Sequence, residues 1–215
     1  MEALGVNLSA PRAKMLRSIR ENGIAYFHAP FYHPAIAPFQ KLRRTLKIKT
    51  LFNLLGPLNN PLVIKRQVAG VSDLKTFRLY CAVLKKMNLK RALLVHSPAA
   101  GLDEISTSAP TEAALIEGKS VKRFKILPQK LGVRKSTLKN LQCHSLKQSK
   151  AAALKILQGQ EKGPAADVIL INAGAAIWAA GKAPDLKHGI RMARQSLNSG
   201  SAYKALKGLV RISNS

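Results

Sequence analysis

The chain has 215 residues, 47% of them hydrophobic, which excludes a disordered polyelectrolyte and calls for a sizeable core. Its 36 Lys and Arg against 10 Asp and Glu leave a net charge of +26, so its partners are expected to be anionic: nucleic acid, an anionic membrane surface, phosphorylated metabolites or pyrophosphate. The two cysteines, Cys81 and Cys143, form neither a CxxC pair nor a disulfide framework, which fits free thiols in the reducing cytoplasm. In chain order, MEALGVNLSAPRAKM lacks the apolar centre of a signal peptide. Ser9 and Pro11 open, and Asn22-Gly23 closes, a basic amphipathic helix predicted over 11–22. IAYF at 24–27 reads as a short strand. Pro34 can open a second helix carrying Arg43 and Arg44, and LFNLLGPLNNP at 51–61 reads as a helical turn broken by its Gly-Pro and Asn-Asn-Pro steps.

From residue 66 the pattern changes. QVAGVS reads as a strand, DLKTFRLYCAVLKKMN as an amphipathic helix and RALLVHS as a nearly continuous apolar strand, which together make a βαβ rhythm. ISTSAPTEAALIEGKSVKRFKILP gives short strands and turns, with an edge strand at VKRFKI marked by its alternating cations. A helix follows that stops near Gly159, and further helices are predicted over 165–181, 185–198 and 201–209. The stretch AADVILINAGAAIWAAG is interrupted by Asp167 and Asn172 and falls short of the roughly 20 residues of a membrane span, so it is a buried helix. No fixed-period repeat and no low-complexity segment occurs.

Asp103 and Glu104, adjacent in GLDEIS, are two of only ten acids in the chain. They can hold Mg²⁺, a hard cation that takes carboxylate oxygens and shares its shell with water and substrate phosphates, provided the segment is a turn; on a strand the two side chains would point to opposite faces. The alternative is a pair of solvated acids at a strand end. Arg43-Arg44 offers a guanidinium for a substrate carboxylate or phosphate, or else a solvated helix face. His33, before Pro34, either lines a pocket or starts the helix. LKHGIRMAR near residue 188 lies in a helical pattern whose backbone N–H groups are already bonded, which argues against a phosphate site there. No Ser/His/Asp constellation, GxGxxG, Walker loop or Cys/His metal spacing is present.

Seven elements occur in one order: EALGVN at 2–7, FHAPFYHPA at 27–35, LRRTLKIKTLFNLLGPLNNP at 42–61, RQVAGV at 66–71, LLVHS at 93–97, GLDEIS at 101–106 and INAGAAIWAAGKAPDLKHGI at 171–190. Together they resemble the anthranilate phosphoribosyltransferase family over essentially the whole chain. The resemblance implies an α/β fold of the nucleoside phosphorylase/phosphoribosyltransferase type, a mixed sheet with helices on both faces. It also implies transfer of phosphoribosyl from phosphoribosyl pyrophosphate to anthranilate, with Mg²⁺ assisting and pyrophosphate leaving, in tryptophan biosynthesis. By the same resemblance Asp103 and Glu104 bind the metal, Arg43 contacts anthranilate, and His33 lies near the same channel.

The sequence departs from the family's pattern at several places. Lys47 and Lys49 replace the usual Gly and Arg, Asn59 replaces the Thr of GPLTNP, and Ala100 stands where a polar or acidic residue commonly precedes GLDE. The family's helical region, its GTGGD loop and its KHGN segment are not among these residues. Residues 1–215 are therefore expected to be the C-terminal portion of the α/β domain without the N-terminal helical domain, either inactive alone or completed by a polypeptide carrying the upstream half. Dimerisation is left open by the sequence. Two other readings are a basic nucleic-acid-binding protein reusing the scaffold, and a relative acting on another aromatic base or a nucleoside.

Overall fold

The computed structural model describes residues 1–32 and 56–215. His33, Arg43, Arg44, Lys47 and Lys49, with the helix expected after Pro34, lie outside the described residues. The chain divides into two compact units, Met1–Val63 with Ser201–Ser215, and Ile64–Gly200.

In the first unit, helix α1 (Arg12–Asn22) follows Pro11, whose φ of −58° already suits a helix start, and ends at Gly23 with φ 72°. It buries Met15 and Ser18 and packs against α7 (Ser201–Asn214), which buries Leu206, Leu209 and Ile212. Helix α7 runs past the 209 expected from its pattern. Its last turn is tied down by Asn7 N–H donating to Ser213 Oγ at 3.1 Å and by Asn214 Nδ2 donating to the Gly5 carbonyl at 2.9 Å. The expected strand at IAYF is absent. Residues 24–28 form no ladder with any described strand, and Phe27 instead meets Tyr32 edge-on at 4.9 Å between ring centroids. Tyr32, on the short helix α2 (Ala29–Tyr32), donates its hydroxyl to the Ala10 carbonyl at 2.6 Å.

In the second unit, β1 (Arg66–Gly70), α3 (Leu74–Lys86) and β2 (Arg91–His96) form the expected βαβ unit, with β1 and β2 parallel. Two antiparallel strands, β3 (Thr111–Glu117) and β4 (Ser120–Ile126), complete a mixed sheet of order β1-β2-β3-β4. Helix α3 starts where Asp73 accepts the Thr76 N–H at 2.8 Å, and buries Phe77, Tyr80, Cys81 and Leu84. Strand β2 is buried on both faces. His96 points towards Phe77 of α3, while Leu93 and Val95 join the main core with Ile171, Ala175 and Ile190 on the opposite side. Helices thus cover both faces, as the fold class requires. Strand β4 is the predicted cation-bearing edge, with Lys122, Arg123 and Lys125 exposed.

The opposite side is built from α4 (Leu146–Leu157), α5 (Pro164–Ala179) and α6 (Leu186–Asn198). Helices α5 and α6 touch backbone to backbone at Gly174 and Gly189: a Cβ on Gly189 would overlap the Gly174 carbonyl oxygen, and one on Gly174 would overlap the Ile190 backbone. Inside this layer Asp167, 2% exposed, accepts from Arg134 Nε at 2.8 Å and from the Arg134 backbone N–H at 3.1 Å. Both cysteines are free thiols, Cys81 buried and Cys143 exposed. Among the described residues no helix is long and apolar enough to cross a membrane.

Candidate metal centre

The acidic couplet lies just beyond the carboxyl end of β2. Ser97 leads into a 3₁₀ turn at Pro98–Ala100, Gly101 reverses the chain with φ 62°, and Leu102 pairs back with Ser97 through two backbone hydrogen bonds of 3.0 and 3.2 Å. Asp103 and Glu104 follow in a bend, so the turn that a shared metal requires is present. Beneath them His96 Nδ1 donates to the Val71 carbonyl at 2.9 Å, joining the carboxyl ends of the two parallel strands. Open α/β sheets bind ligands beyond this end of their strands.

Three elements hold three consecutive backbone units of this loop. At Asp103 the hold is steric, because a Cβ on Gly70, the last residue of β1, would overlap the Asp103 carbonyl oxygen. At Glu104, the fully buried Ser97 hydroxyl donates to the carbonyl at 2.8 Å and lies 2.6 Å from Thr111 Oγ1. At Ile105, Asn172 of α5 uses both ends of its amide: Oδ1 accepts the N–H at 2.9 Å, and Nδ2 donates to the carbonyl at 2.9 Å and to the Val168 carbonyl at 3.0 Å. The couplet's backbone is fixed while both of its side chains remain exposed.

Although Glu104 keeps exposed surface, the protein crowded round its carboxyl, and secondarily the Asp103 charge, raise its pKa above the ordinary Glu value. Two carboxylates side by side, one of them resisting ionisation, form a donor set that a divalent cation relieves. No group of three or more His, Cys, Asp and Glu that could hold a metal occurs among the described residues. Mg²⁺ keeps several waters or substrate oxygens in its shell and is commonly bound through only one or two protein carboxylates. Beside the couplet a cavity of about 540 Å³ opens between α4 and α5, with Glu104 and Ser106 on its wall.

Of the expected site residues, the structure places Asp103 and Glu104 together, whereas His33 and Arg43 fall outside the described part. At LKHG, the Asp185 carboxylate caps α6 by accepting the His188 N–H at 2.8 Å, so an acid already occupies the helix start where a phosphate would bind. Gly70, Ser97 and Asn172 were not singled out by motif. Two faint signals existed: a lone Gly ending a strand, and a lone amide within an apolar helix.

Residues 1–203 match the glycosyl transferase family, a/b domain. The chain is 37% identical over 214 residues to the anthranilate phosphoribosyltransferase of Nitrosomonas europaea, covering 100% of this chain and 62% of that protein. To the enzyme of the same name from Methylobacillus flagellatus it is 39% identical over 213 residues, covering 99% and 62%. Among solved structures, anthranilate phosphoribosyltransferase from Thermus thermophilus matches with a TM-score of 0.88 at 34% identity, over 100% of this chain and 63% of that one. A serine-to-alanine variant of the Saccharomyces cerevisiae enzyme with magnesium bound matches with a TM-score of 0.87 at 25% identity, over 99% and 61%. These curated relatives are therefore longer, the chain spanning 62% of their length. The chain belongs to the glycosyl transferase family, whose a/b domain it carries over residues 1–203.

Proposed function

We propose that the chain supplies the metal-binding part of an anthranilate phosphoribosyltransferase. The observation that carries the reading is the preset couplet at the carboxyl ends of β1 and β2, with Glu104 raised in pKa beside Asp103. Asp103 and Glu104 would hold Mg²⁺, which when bound offsets the negative charge that grows on the departing diphosphate. The bond from ribose C1 to the pyrophosphate oxygen breaks, the bond from C1 to the anthranilate nitrogen forms, and the amine gives up a proton. Arg43 would orient the anthranilate carboxylate by a bidentate, charge-assisted pair, and His33 would line the same channel. Both of these roles rest on the resemblance of the surrounding motifs. The family names of the relatives and the magnesium in the yeast variant support the same activity and the same ion.

Because the relatives are longer, turnover is assigned to the chain together with the rest of their fold, in the cytoplasm. Isothermal titration with phosphoribosyl pyrophosphate, with and without Mg²⁺, tests the reading. Binding is expected only with Mg²⁺, and is expected to vanish when Asp103→Asn and Glu104→Gln are combined; Mg²⁺-independent binding, or binding unaffected by the double substitution, contradicts it. A second reading, nucleic-acid binding, draws on the +26 charge alone. It requires strong binding to arbitrary DNA that weakens steeply with salt.

A further inference from the structure

Three cations and one acid meet at the amino ends of β1 and β2, the end of these strands away from the couplet. Arg66 opens β1, Arg91 opens β2, and the two are register partners in the parallel ladder. Register partners point to the same face, so two guanidinium groups stand as neighbours, an arrangement that opposes strand pairing unless an anion answers it. Both turn towards the end of α5. Arg91 Nη1 donates to the Trp178 carbonyl at 3.2 Å, and the Arg66 guanidinium lies over Gly181, its Nε 3.6 Å and its Nη2 3.7 Å from where a Cβ would stand. Gly181 has a φ of 73°, so the turn after α5 favours glycine and presents bare backbone to that guanidinium. With Lys90 and Glu117 these residues line a cavity of about 380 Å³, bounded by the turn at 181–184 and within the roughly 300–1,000 Å³ of small-ligand pockets. All of its lining belongs to the Ile64–Gly200 unit.

The protein does not balance the charge in this cavity. Glu117 already serves Arg91, its Oε1 accepting from Nε at 2.7 Å and from Nη2 at 2.6 Å. The turn after Glu117 is tied down by the Gly118 N–H donating to the Leu89 carbonyl at 3.1 Å. Arg66 and Lys90 form no ion pair among the described residues, and residues 33–55 contain no Asp or Glu that could answer them. Carbonyls that close α5 are taken as well: Trp178 also accepts the Gly181 N–H at 2.9 Å, and Ile177 accepts the Lys182 N–H at 3.1 Å. Three cations against one carboxylate leave two positive charges in one cavity.

We propose that this cavity binds a phosphate dianion, free or as the ester of a small metabolite, at a site separate from the couplet. Arg66 supplies a planar fork of N–H donors and Lys90 a compact charge, while Arg91, held by Glu117 and Trp178, adds its charge from a fixed position. Two positive charges match the two negative charges of the phosphate, whereas a single carboxylate would leave one unanswered. The site stands apart from the functional reading above, because none of its residues lies at the carboxyl ends of β1 and β2.

The test is isothermal titration of inorganic phosphate, and separately of glucose 6-phosphate, into the 215-residue chain without divalent metal. At an ionic strength of about 0.15 M the screening length of about 8 Å suppresses the diffuse attraction of the chain's overall charge. Saturable one-to-one binding is expected. It should weaken about tenfold or more with Arg66→Gln and with Lys90→Gln, both at exposed positions, with circular dichroism checking for an unchanged fold. Lys147→Gln, at an exposed position on α4 outside the cavity, should leave it unchanged. Binding of either ligand in this pattern supports the proposal, and the tighter of the two identifies the source of the phosphate. Absence of saturable binding, or undiminished binding by the Arg66 and Lys90 variants, overturns it. So does equal weakening by Lys147→Gln, because the general charge of the surface, as a nucleic acid would read it, would then be the cause.

Discussion

Asn172 pairs with Ile105 as a neighbouring strand would, its Oδ1 accepting the Ile105 N–H and its Nδ2 donating to the Ile105 carbonyl, each at 2.9 Å. A side chain on a helix thereby fixes the residue next to Glu104. The third bond, to the Val168 carbonyl at 3.0 Å, fixes the amide to its own helix. Asn172→Ala removes all three bonds and leaves the Ile105 backbone groups without these partners, a loss of about 2 kcal/mol of stability. Groups that orient metal ligands typically alter metal affinity by about 10- to 100-fold, and an effect of that size on Mg²⁺ affinity is expected here. Thermal melts and metal titrations on the same variant separate the two effects, and Asn172→Gln serves as the conservative comparison. A stable variant with undiminished metal affinity would show that the clamp does not serve the couplet.

Gly70→Ala acts on the same loop from the other side. The added methyl overlaps the Asp103 carbonyl oxygen, so either β1 or the loop must shift. Overpacking of this kind costs about 1–3 kcal/mol. A lower melting temperature is expected, with loss of Mg²⁺-dependent ligand binding in the protein that remains folded. Gly118→Ala, at a turn distant from the couplet in sequence, is expected to strain its own backbone at φ 56° without affecting ligand binding.

The raised pKa of Glu104 makes a pH prediction with a definite sign. Its protonated form is favoured in the folded chain, so its stabilising contribution is fully present below the ordinary Glu range and is lost as pH rises through the raised value. Glu104→Gln mimics the protonated state and carries no such loss. Without metal, the variant's melting temperature is therefore expected to gain on the parent's as pH rises through that window, and added Mg²⁺ should stabilise only the parent. Parallel pH profiles would contradict the electrostatic account of the couplet.

Much of the fold was legible because its signals are local. The apolar runs of β1 and β2 around an amphipathic helix forecast the βαβ unit, and the cations of VKRFKI forecast a guarded edge. Asp103 and Glu104 stood out as adjacent acids in a basic chain, and the turn that brings them off the strand follows Gly101. What holds them was not legible. Asn172 is 67 residues from Ile105, and Gly70 meets Asp103 only after the chain has passed through α3 and β2. IAYF misled because strand-like residues need a ladder partner, and Phe27 found the Tyr32 ring instead.

The account is tested most directly by paramagnetic resonance of Mn²⁺, a spin-bearing stand-in for Mg²⁺, titrated into the chain in the presence of pyrophosphate. The intact couplet should remove one equivalent of free Mn²⁺ signal, while the protein carrying both Asp103→Asn and Glu104→Gln should leave the signal of the free ion. Equal uptake by the two proteins would contradict the claim that these carboxylates hold the metal.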